Sequence, residues 1–556
     1  MNRGYAKRRG ERSSLSFSVF FDKILIAGIA GTLFLFILYP VAGVLMRSLK
    51  WNGEWSLYHY RNLMTLRNLE LIRNSVFVAT FSSINATLLA FCIGVFAHFK
   101  KRFVRNAIYR SLMMTMISPP FISAIALLTL FGRRGLISYG VFGVTLNPYG
   151  WHGIVILQSL SGVSLSAIMM MTGLSQIDSR LFLAARDLGA NPWSTLKEVV
   201  LPSMVPTVLS VFFLQFTMNI SDFTTPIIIG GRYRVLATEA YLRVYAQANL
   251  NGAAAMTVLL LPPAIVAFYF YRRNMKRVHT LSERAKILEM ESLNFKLPKG
   301  VQMLTGGVVA VFFLINAVQY GNLFFTAFTR NVSGTPVFTL DHFAVFQSRH
   351  VDALIRTIYM AVAAALLSTM IGVLLSYYHR RRQMKGFGVL EFVGSIPYII
   401  PGIFFGLAYV VVFHRGPISL TGTLIILILN CTFRHISVGN KAANAAFETL
   451  DHKIEWASYD LGASKIGSLL KVTFPILRPT LLVSFINSFT ASMTTVGPLL
   501  FLVSPRNLVT SVLMFNEVNS GRYGQSAVIG SALILITFSV NLMAIRLLSA
   551  QRRRGK

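Results

Sequence analysis

The chain has 556 residues, of which 54% are hydrophobic and only 13% are charged. A soluble protein of this length needs a more polar surface, so the composition excludes an ordinary soluble enzyme and predicts a protein embedded in a bilayer. The formal net charge is +33. Because membrane proteins concentrate Lys and Arg in cytoplasmic loops, and the sequence has no nucleic-acid-binding motif, we expect no nucleic-acid partner.

Apolar runs of about 20 residues recur along the whole chain, and a helix of that length spans a bilayer. We therefore predict an all-α polytopic membrane protein with about twelve transmembrane helices. The first six spans are predicted near 24–46, 75–98, 111–131, 153–175, 205–229 and 254–271. The second six are predicted near 301–325, 355–378, 389–413, 420–438, 480–502 and 525–547.

Basic residues gather before the first span, after the second, sixth and eighth spans, and at the C-terminus. With twelve spans these segments all fall on one side of the membrane, which the positive-inside rule makes the cytoplasm. Both termini are therefore predicted to be cytoplasmic. The predicted parts are a basic N-terminus (1–23), a first six-helix half (24–271), a cytoplasmic linker (272–300), a second six-helix half (301–548) and a basic tail (549–556).

Short sequences recur in the two halves at a nearly constant distance. Asp187-Leu188-Gly189-Ala190 returns as Asp460-Leu461-Gly462-Ala463, 273 residues later. Ile93-Gly94-Val95 returns as Ile371-Gly372-Val373, at an offset of 278 residues. Each match is short, but their common order indicates that a six-span unit was duplicated.

A charged, proline-containing loop interrupts the apolar pattern between the fourth and fifth spans. One face of a short helix would carry four of its residues, namely Leu181, Ala184, Ala185 and Leu188. Gly189 stands where helices often end in a left-handed conformation. Asn191 and Pro192 fit the N-cap and first position of a second helix, which Pro202 ends or bends into the fifth span.

A second loop between the tenth and eleventh spans follows the same plan. Ile454, Ala457 and Leu461 form the stripe, Gly462 stops the first helix and Pro475 closes the loop. A single loop of this kind could lie on lipid headgroups as an amphipathic surface. Two copies in equivalent places instead favour a two-fold docking surface on the cytoplasmic side.

This pattern resembles the EAA loop of binding-protein-dependent ABC importer permeases. Their motif reads Glu-Ala-Ala, three residues, Gly, nine residues, Ile, one residue and Leu-Pro. The matching positions are Leu183, Ala184, Ala185, Gly189 and Pro202 in the first loop, and Trp456, Ala457, Ser458, Gly462 and Pro475 in the second. Asp187 and Asp460 each stand two residues before the glycine. Leu183 and Trp456 occupy the position of the family's Glu, so these loops would couple through shape and apolar contact.

The resemblance implies a type I ABC importer fold of two fused halves in a bacterial inner membrane. It implies that the loops dock on two copies of an ABC ATPase subunit, and that an extracytoplasmic binding protein delivers the cargo. The stretch at 119–137 is similar to ferric-iron permeases, while phosphonate, sugar phosphate and thiamine remain alternative cargoes. The sequence contains no Gly-x-x-x-x-Gly-Lys-Ser/Thr motif. We therefore expect no enzymatic activity and no cofactor in this chain, with ATP and Mg²⁺ bound by the partner ATPases.

Polar stripes follow each loop and are the candidate translocation path. The stripe on the fifth span contains Asn219, Asp222, Thr224 and Thr225, and that on the eleventh contains Asn487, Thr490, Thr494 and Thr495. Pro226 and Pro498 end these stripes and could expose backbone groups to a cavity. The alternative is that the polar residues join helices to one another. Asp222 could also carry a proton in an ion-coupled secondary transporter of two halves.

A few further charged positions have two interpretations. Glu391, near the cytoplasmic end of the ninth span, has either a transport role or a place among the headgroups. Arg434 and His435 are predicted to reach lipid phosphate from the end of the tenth span. Arginines in the outer loops, among them Arg133, Arg330 and Arg522, would attract an acidic binding protein or an anionic cargo, or form an ordinary solvated surface. We expect no high-affinity metal site, because the spans contain no dense carboxylate or tyrosine cluster.

Overall fold

The computed structural model describes residues 20, 22–116, 119, 121–133, 135–284, 297–332, 335–414 and 418–554. Most of the predicted basic N-terminus and residues 285–296 of the predicted linker lie outside these ranges. Within them the chain is helical apart from loops and two short antiparallel hairpins. The hairpins pair β1 (Lys50–Trp51) with β2 (Glu54–Trp55) and β3 (Thr329–Val332) with β4 (Thr335–Phe338).

The helices of the first half begin with a long helix that contains one π-helical turn at Phe34–Leu38. In chain order they are α1 (Asp22–Ser48), α2 (Tyr58–Leu63), α3 (Leu66–His98), α4 (Arg102–Thr115), α5 (Ile122–Phe131), α6 (Trp151–Ser175), α7 (Ser179–Asp187), α8 (Pro192–Ile220), α9 (Thr224–Ile229), α10 (Leu236–Tyr245), α11 (Leu250–Leu259) and α12 (Leu261–Arg284).

The second half repeats this order. Its helices are α13 (Lys299–Ala327), α14 (Asp341–Arg349), α15 (Val351–Arg381), α16 (Phe387–Ile399), α17 (Gly402–Phe413), α18 (Leu424–Thr449), α19 (Lys453–Asp460), α20 (Lys465–Ser468), α21 (Leu469–Thr494), α22 (Thr510–Asn519) and α23 (Tyr523–Arg554). A 3₁₀ turn at Leu499–Phe501 stands where the first half has α9.

Among the described residues, nine helices are long and apolar enough to cross a membrane, and α16 with α17 makes a tenth if this pair, bent by 109°, is one span. The predicted third span is instead divided between α4 and α5, with Phe121 in a left-handed conformation (φ 77°) before α5. The predicted tenth span lies in α18, where Asn430, Arg434 and His435 interrupt the apolar run. The all-α membrane fold is confirmed, and the count of twelve stays a prediction.

The duplicated glycines mark the same helix crossing in each half. A Cβ on Gly94 of α3 would lie 2.6 Å from the Cβ of Met170 on α6. A Cβ on Gly372 of α15 would lie 2.7 Å from the backbone nitrogen of Asn440 on α18. Both crossings are therefore too close for any larger residue, which is why small residues are enriched where membrane helices pack.

The short helices α10 and α22 are anchored alike. Ser75 Oγ accepts a hydrogen bond from the backbone N–H of Leu236 at 2.8 Å, and Thr357 Oγ1 accepts one from Thr510 at 2.8 Å. In both halves a hydroxyl near the start of the second long helix thus satisfies the first N–H of the short helix, which has no partner within its own helix.

Each half exchanges its first helix with the other. Helix α1 packs on the second half, where the Tyr409 hydroxyl donates to the Phe36 carbonyl at 2.9 Å. Helix α13 packs on the first half, where Asn322 Nδ2 donates to Thr129 Oγ1 at 2.7 Å. The halves are therefore interlocked, and relative motion between them must carry α1 and α13 along.

Candidate functional site

The first loop folds as a short helix terminated at a glycine, followed by a second helix with a side-chain N-cap. The Asp178 carboxylate accepts from the Arg180 N–H at 3.0 Å and caps α7, which ends at Gly189 with φ +76°. The same carboxylate pairs with the Arg180 side chain and raises the pKa of that guanidinium. Asn191 Oδ1 then accepts from the N–H groups of Trp193 and Ser194, both at 2.9 Å, and so caps α8. The predicted glycine stop and Asn-Pro restart are confirmed.

The second short helix is continuous with the following span in both loops. Helix α8 runs from Pro192 to Ile220 through a π-helical turn at Leu196–Val200, and α20 leads through an equivalent turn at Leu469–Thr473. Pro202 and Pro475 come directly after these turns and do not end the helices. A π turn shifts the hydrogen-bond register by one residue, which accommodates a proline that has no N–H to donate.

The second loop has the same outline with a weaker restart. Helix α19 ends at Gly462, whose φ is +85°. Ser464 Oγ accepts a single hydrogen bond, from the N–H of Gly467 at 3.1 Å, whereas Asn191 in the first loop accepts two. The positive φ at both glycines is a conformation that residues with a Cβ rarely adopt.

Both loops expose the apolar stripe that the sequence predicts. Leu188 is 88% exposed and the equivalent Leu461 is 89% exposed, each directly before the glycine stop. Other exposed members of the two stripes are Leu181, Ala184, Ile454 and Ala457, while Ala185 is partly buried. At the position of the family's Glu, Trp456 is exposed and Leu183 is partly buried. Contiguous exposed apolar groups of this kind are typical of a surface that binds another protein or a membrane.

The buried sides of the two loops differ in chemistry. In the first, Phe182 is 5% exposed and its ring packs edge-on against Phe99, with centroids 6.3 Å apart. In the second, the equivalent residue is Glu455, whose Oε1 lies 3.4 Å from Arg381 Nε and accepts from Thr473 Oγ1 at 2.9 Å. Sequence reasoning missed this pair, because Arg381 and Glu455 are far apart along the chain.

Arg381 itself is buried and is held by two backbone carbonyls as well as by Glu455. Its side chain is 2% exposed, and Nη1 and Nη2 donate to the carbonyls of Leu450 and Asp451 at 2.9 and 3.0 Å. The end of α15 is thereby fastened to the start of the second loop. A movement of either element must therefore move the other.

Helix breaks from both halves meet at the centre of the molecule. Helix α8 stops at Ile220 and resumes as α9 at Thr224, and α21 stops at Thr494 before the turn at Leu499. A Cβ on Gly497 would lie 3.2 Å from the Phe223 ring, and one on Gly406 of α17 would lie 2.3 Å from the Pro498 carbonyl oxygen. We call this meeting of residues 221–223, 400–401 and 495–498 the break region. Such irregular backbone is tolerated at membrane depth when protein surrounds it.

An aromatic cluster from both halves lies beside the break region. Ring centroids of Phe121 and Phe515 are 5.7 Å apart, and those of Phe223 and Tyr241 are also 5.7 Å apart. Tyr241 also meets Phe501 at 5.8 Å. The cluster joins α10 of the first half to α22 of the second. Sequence reasoning missed it, because the five residues are far apart in sequence.

The predicted polar residues of the fifth span have internal partners. Asp222 Oδ1 accepts from the N–H and hydroxyl of Thr224 at 2.9 and 2.6 Å, so it caps α9, and Oδ2 accepts from Gln158 Nε2 at 3.1 Å. The N–H of Thr225 also points to Asp222 Oδ1, at 3.4 Å. Asn219 is 6% exposed and donates to Ser83 Oγ at 3.0 Å, a contact that joins α8 to α3.

The stripe on the eleventh span is more open. Asn487 is exposed, and Thr490 Oγ1 accepts from Asn541 Nδ2 at 3.3 Å. Thr494 donates to the Thr490 carbonyl at 3.0 Å. Thr495 donates to a carbonyl one turn earlier at 2.7 Å, and its hydroxyl lies 3.3 Å from His435 Nε2. Thr495 is thus the member of this stripe that reaches the break region.

Glu391 joins three helices near the loops. Its Oε1 accepts from Asn440 and Asn444 at 3.0 and 2.6 Å, and its Oε2 lies 3.1 Å from His379 Nε2. These partners come from α15 and α18, whereas Glu391 is on α16. The carboxylate therefore has protein partners rather than an open path to the headgroups.

The prediction that Arg434 reaches lipid phosphate is wrong. Helix α18 continues to Thr449, well past the predicted end of the tenth span, so Arg434 stands in mid-helix. A Cβ on Gly402 would lie 3.0 Å from Arg434 Nη2, which places the guanidinium at the break region. The predicted span was too short because polar residues on a buried face lower the hydropathy of a helix without ending it.

A pocket of about 700 Å³ opens between the halves at the end of the molecule opposite the loops. Arg133, Arg330 and Arg522 line it together with Asp341 and His342. Arg522 is paired with Glu517. Three of the outer arginines that the sequence singled out are thus brought to one concave surface. In the described ranges, no group of three or more His, Cys, Asp or Glu residues could hold a metal ion.

Comparisons with known proteins identify two matching regions. The family model described as "Binding-protein-dependent transport system inner membrane component" matches residues 90–280 and again residues 368–555. The two matches cover well over half of the chain, and each contains one of the two loops.

Named relatives extend over most of the chain. A "Ferric transport system permease protein FbpB" of Actinobacillus pleuropneumoniae is 27% identical over 545 residues, which is 94% of this chain and 78% of the relative. A "Putative ferric transport system permease protein FbpB 1" of Haemophilus influenzae is 27% identical over 507 residues, or 87% and 78% of the two chains. A "Putative 2-aminoethylphosphonate transport system permease protein PhnV" of Salmonella typhimurium is 27% identical over 227 residues, or 39% and 82%.

Proposed function

The chain belongs to the family of binding-protein-dependent transport system inner membrane components, and from this premise we propose that it forms the membrane path of an ATP-driven importer of ferric iron. The observation that carries the proposal is the pair of capped loops, in equivalent places, that both expose an apolar stripe. A chain that forms the path alone needs a surface through which a separate motor can move it.

We propose that each loop binds one copy of an ABC ATPase subunit, and that ATP and Mg²⁺ bind those partners rather than this chain. The docking residues are Leu183, Ala184, Ala185, Asp187 and Gly189 in the first loop and Trp456, Ala457, Asp460 and Gly462 in the second. Pro202 and Pro475 hold the π-turn junctions through which a loop movement reaches α8 and α21. In this arrangement the loops and both termini are cytoplasmic.

The break region supports alternating access between the halves. The aromatic cluster closes the route on the side of α10 and α22, away from the loops. Closure of the ATPase pair would push the loops together and separate Phe121 and Phe223 from Phe515. Asp222, Thr495 and the backbone at Pro226 and Pro498 would then face the cargo.

Ferric iron is the proposed cargo because the two long relatives are named for it and cover most of this chain. The arginine-lined pocket at the opposite end would receive the extracytoplasmic binding protein. A phosphonate is the second candidate, because a relative named for 2-aminoethylphosphonate matches over most of its own length.

Reconstitution with the partner ATPase and binding protein tests this function. Ala184→Arg with Ala457→Arg places a charge on two exposed positions, so the chain should fold but lose ATPase binding and ATP-driven uptake of labelled ferric iron. Lys453→Gln, at an exposed site outside the stripe, is the matched control and should leave both unchanged. Uptake that persists without ATP and collapses with an ion gradient would instead indicate a secondary transporter.

A further inference from the structure

Arg434 occupies a position where a charged side chain is costly. It lies ten residues after the start of α18, and a rise of 1.5 Å per residue places it about 15 Å along the helix. That is about half of the hydrocarbon thickness of a typical bilayer. Helix α18 is not among the nine membrane-length helices of the described residues, but it takes the place that α6, which is one of them, has in the first half. Ionisable groups in the middle of a spanning helix are rare and usually face a functional cavity.

The guanidinium of Arg434 has no acceptor within the described part of the chain. Its Nη1 is buried without a hydrogen-bond partner, and no carboxylate forms an ion pair with it. Arg381, in the same half, is the comparison: it is buried, and its guanidinium has a carboxylate and two carbonyl oxygens beside it. Because an arginine stays charged in proteins, Arg434 carries a positive charge without the carboxylate that Arg381 has, and its Nη1 donor is unused.

The surroundings of Arg434 offer further donors. Asn430, one turn earlier on the same face of α18, has a buried side-chain amide whose nitrogen and oxygen both lack partners in the described ranges. Ser437, one turn later, has a buried hydroxyl that also lacks a hydrogen-bond partner in the described ranges. Arg434 is the one of these three that keeps some exposed surface. A molecule in the break region would therefore meet the guanidinium first.

The chemistry of this position selects an anion. A guanidinium presents a planar set of N–H donors that matches a phosphate or carboxylate in a bidentate arrangement. The same fixed positive charge repels an unaccompanied ferric ion. Asn430 and Ser437 add further hydrogen-bond donors for an anion. Among the described residues no cluster could hold a metal ion, which also favours an anion at this position.

We propose that Arg434 binds an oxyanionic group within the path between the halves, and that the cargo crosses with such a group attached. The inference rests on the proposed transport function and deepens it. For a ferric importer, it means that the iron passes the break region together with a phosphate or carboxylate ligand. Gly402 leaves room beside it, because a Cβ there would crowd the guanidinium.

Phosphate binding by the full chain in lipid nanodiscs tests the site. Labelled inorganic phosphate and thermal unfolding are measured at constant ionic strength for the wild type, Arg434→Gln, Arg434→Lys and Arg506→Gln. Arg506 is an exposed arginine of the same half, without an ion pair among the described residues, and controls for surface charge. We expect Arg434→Gln to weaken phosphate binding by about tenfold or more, Arg434→Lys to retain most of it and Arg506→Gln to retain all of it.

Stability without phosphate separates binding from a structural role. Because Arg434 has no partner to lose, Arg434→Gln should unfold at the same or a higher temperature than the wild type in phosphate-free buffer. An Arg434→Gln chain that unfolds earlier, or fails to fold, would show a structural partner and overturn the proposal. Equal stabilisation of the wild type and Arg434→Gln by phosphate would overturn it as well.

The same assay identifies the source of the oxyanion. Ferric citrate, citrate alone and 2-aminoethylphosphonate are compared on the wild type and on Arg434→Gln. Greater protection by ferric citrate than by citrate, lost in Arg434→Gln, supports an oxyanion carried on iron. Protection by 2-aminoethylphosphonate with no added effect of iron would refute the ferric cargo, while the anion site at Arg434 would stand.

Discussion

The two loops present the same face and are anchored by different chemistry. On the exposed side, Leu188 and Leu461 are almost equally exposed and precede glycines with nearly the same φ. On the buried side, the first loop has the apolar contact of Phe182 with Phe99, and the second has the ion pair of Glu455 with Arg381. The exposed surfaces of the two loops are thus alike, whereas the contacts inside each half differ. The shared surface is the one that we propose binds the ATPase subunits.

The largest expected effect comes from the shared feature. Gly189→Pro or Gly462→Pro forces a negative φ where the chain has +76° or +85°. We expect either variant to reach the membrane but to abolish ATP-driven transport, because the short helix no longer ends at the glycine. Uptake in proteoliposomes, with membrane content measured by immunoblot, checks this. Normal transport by one variant alone would mean that the two loops do not work as a pair.

The next prediction concerns the anchor of the second loop alone. Glu455→Leu leaves the buried Arg381 without its carboxylate, and we expect a loss of about 3 kcal/mol in the stability of this loop. Arg381→Met with Glu455→Leu replaces the pair with apolar groups, as in the first loop, and should recover most of that loss. Hydrogen exchange of residues 453–462 measures both. A double variant as unstable as the single one would show that the bonds from Arg381 to Leu450 and Asp451 carry the anchor.

The first loop should respond to volume rather than to charge. Phe182→Ala removes a ring that is 5% exposed, and we expect a loss of about 3 kcal/mol in the stability of residues 179–188. Phe182→Leu, which keeps most of the apolar volume, should cost less than about 1.5 kcal/mol. Hydrogen exchange of both loops, measured in each variant, gives the loss of stability in the first loop and any change in the second. A change in the second loop of similar size would indicate that the anchors are coupled through the bundle.

What the sequence could predict is the part that depends on neighbours along the chain. Gly189 and Gly462 were recognised because few residues other than glycine adopt a positive φ at a helix end, and Asn191 because it is a favourable N-cap. The apolar stripes followed from helical periodicity. None of these features needs knowledge of a distant contact.

What the sequence could not predict depends on contacts between distant segments. The ion pair of Glu455 with Arg381 joins two segments that are far apart along the chain, and the aromatic cluster unites residues from 121 to 515. Arg434 was assigned to the membrane surface because hydropathy ended the span at 438, whereas buried polar residues allow α18 to continue to Thr449. The exchange of α1 and α13 between the halves has no signal in local periodicity.

The smallest expected effect distinguishes how the two loops restart. Asn191 caps α8 with two hydrogen bonds of 2.9 Å, whereas Ser464 caps α20 with one of 3.1 Å. Removal of an N-cap side chain costs about 1 kcal/mol, so we expect Asn191→Ala to destabilise its loop by about that much and Ser464→Ala by about half as much. Hydrogen exchange of the first turn of α8 and of α20 measures the difference, with Asn191→Asp, which keeps the acceptor, as the control. If Ser464→Ala had the larger effect, the second loop would depend on its N-cap more than on Arg381. The ion pair of Arg381 with Glu455 would then not be the main anchor of that loop.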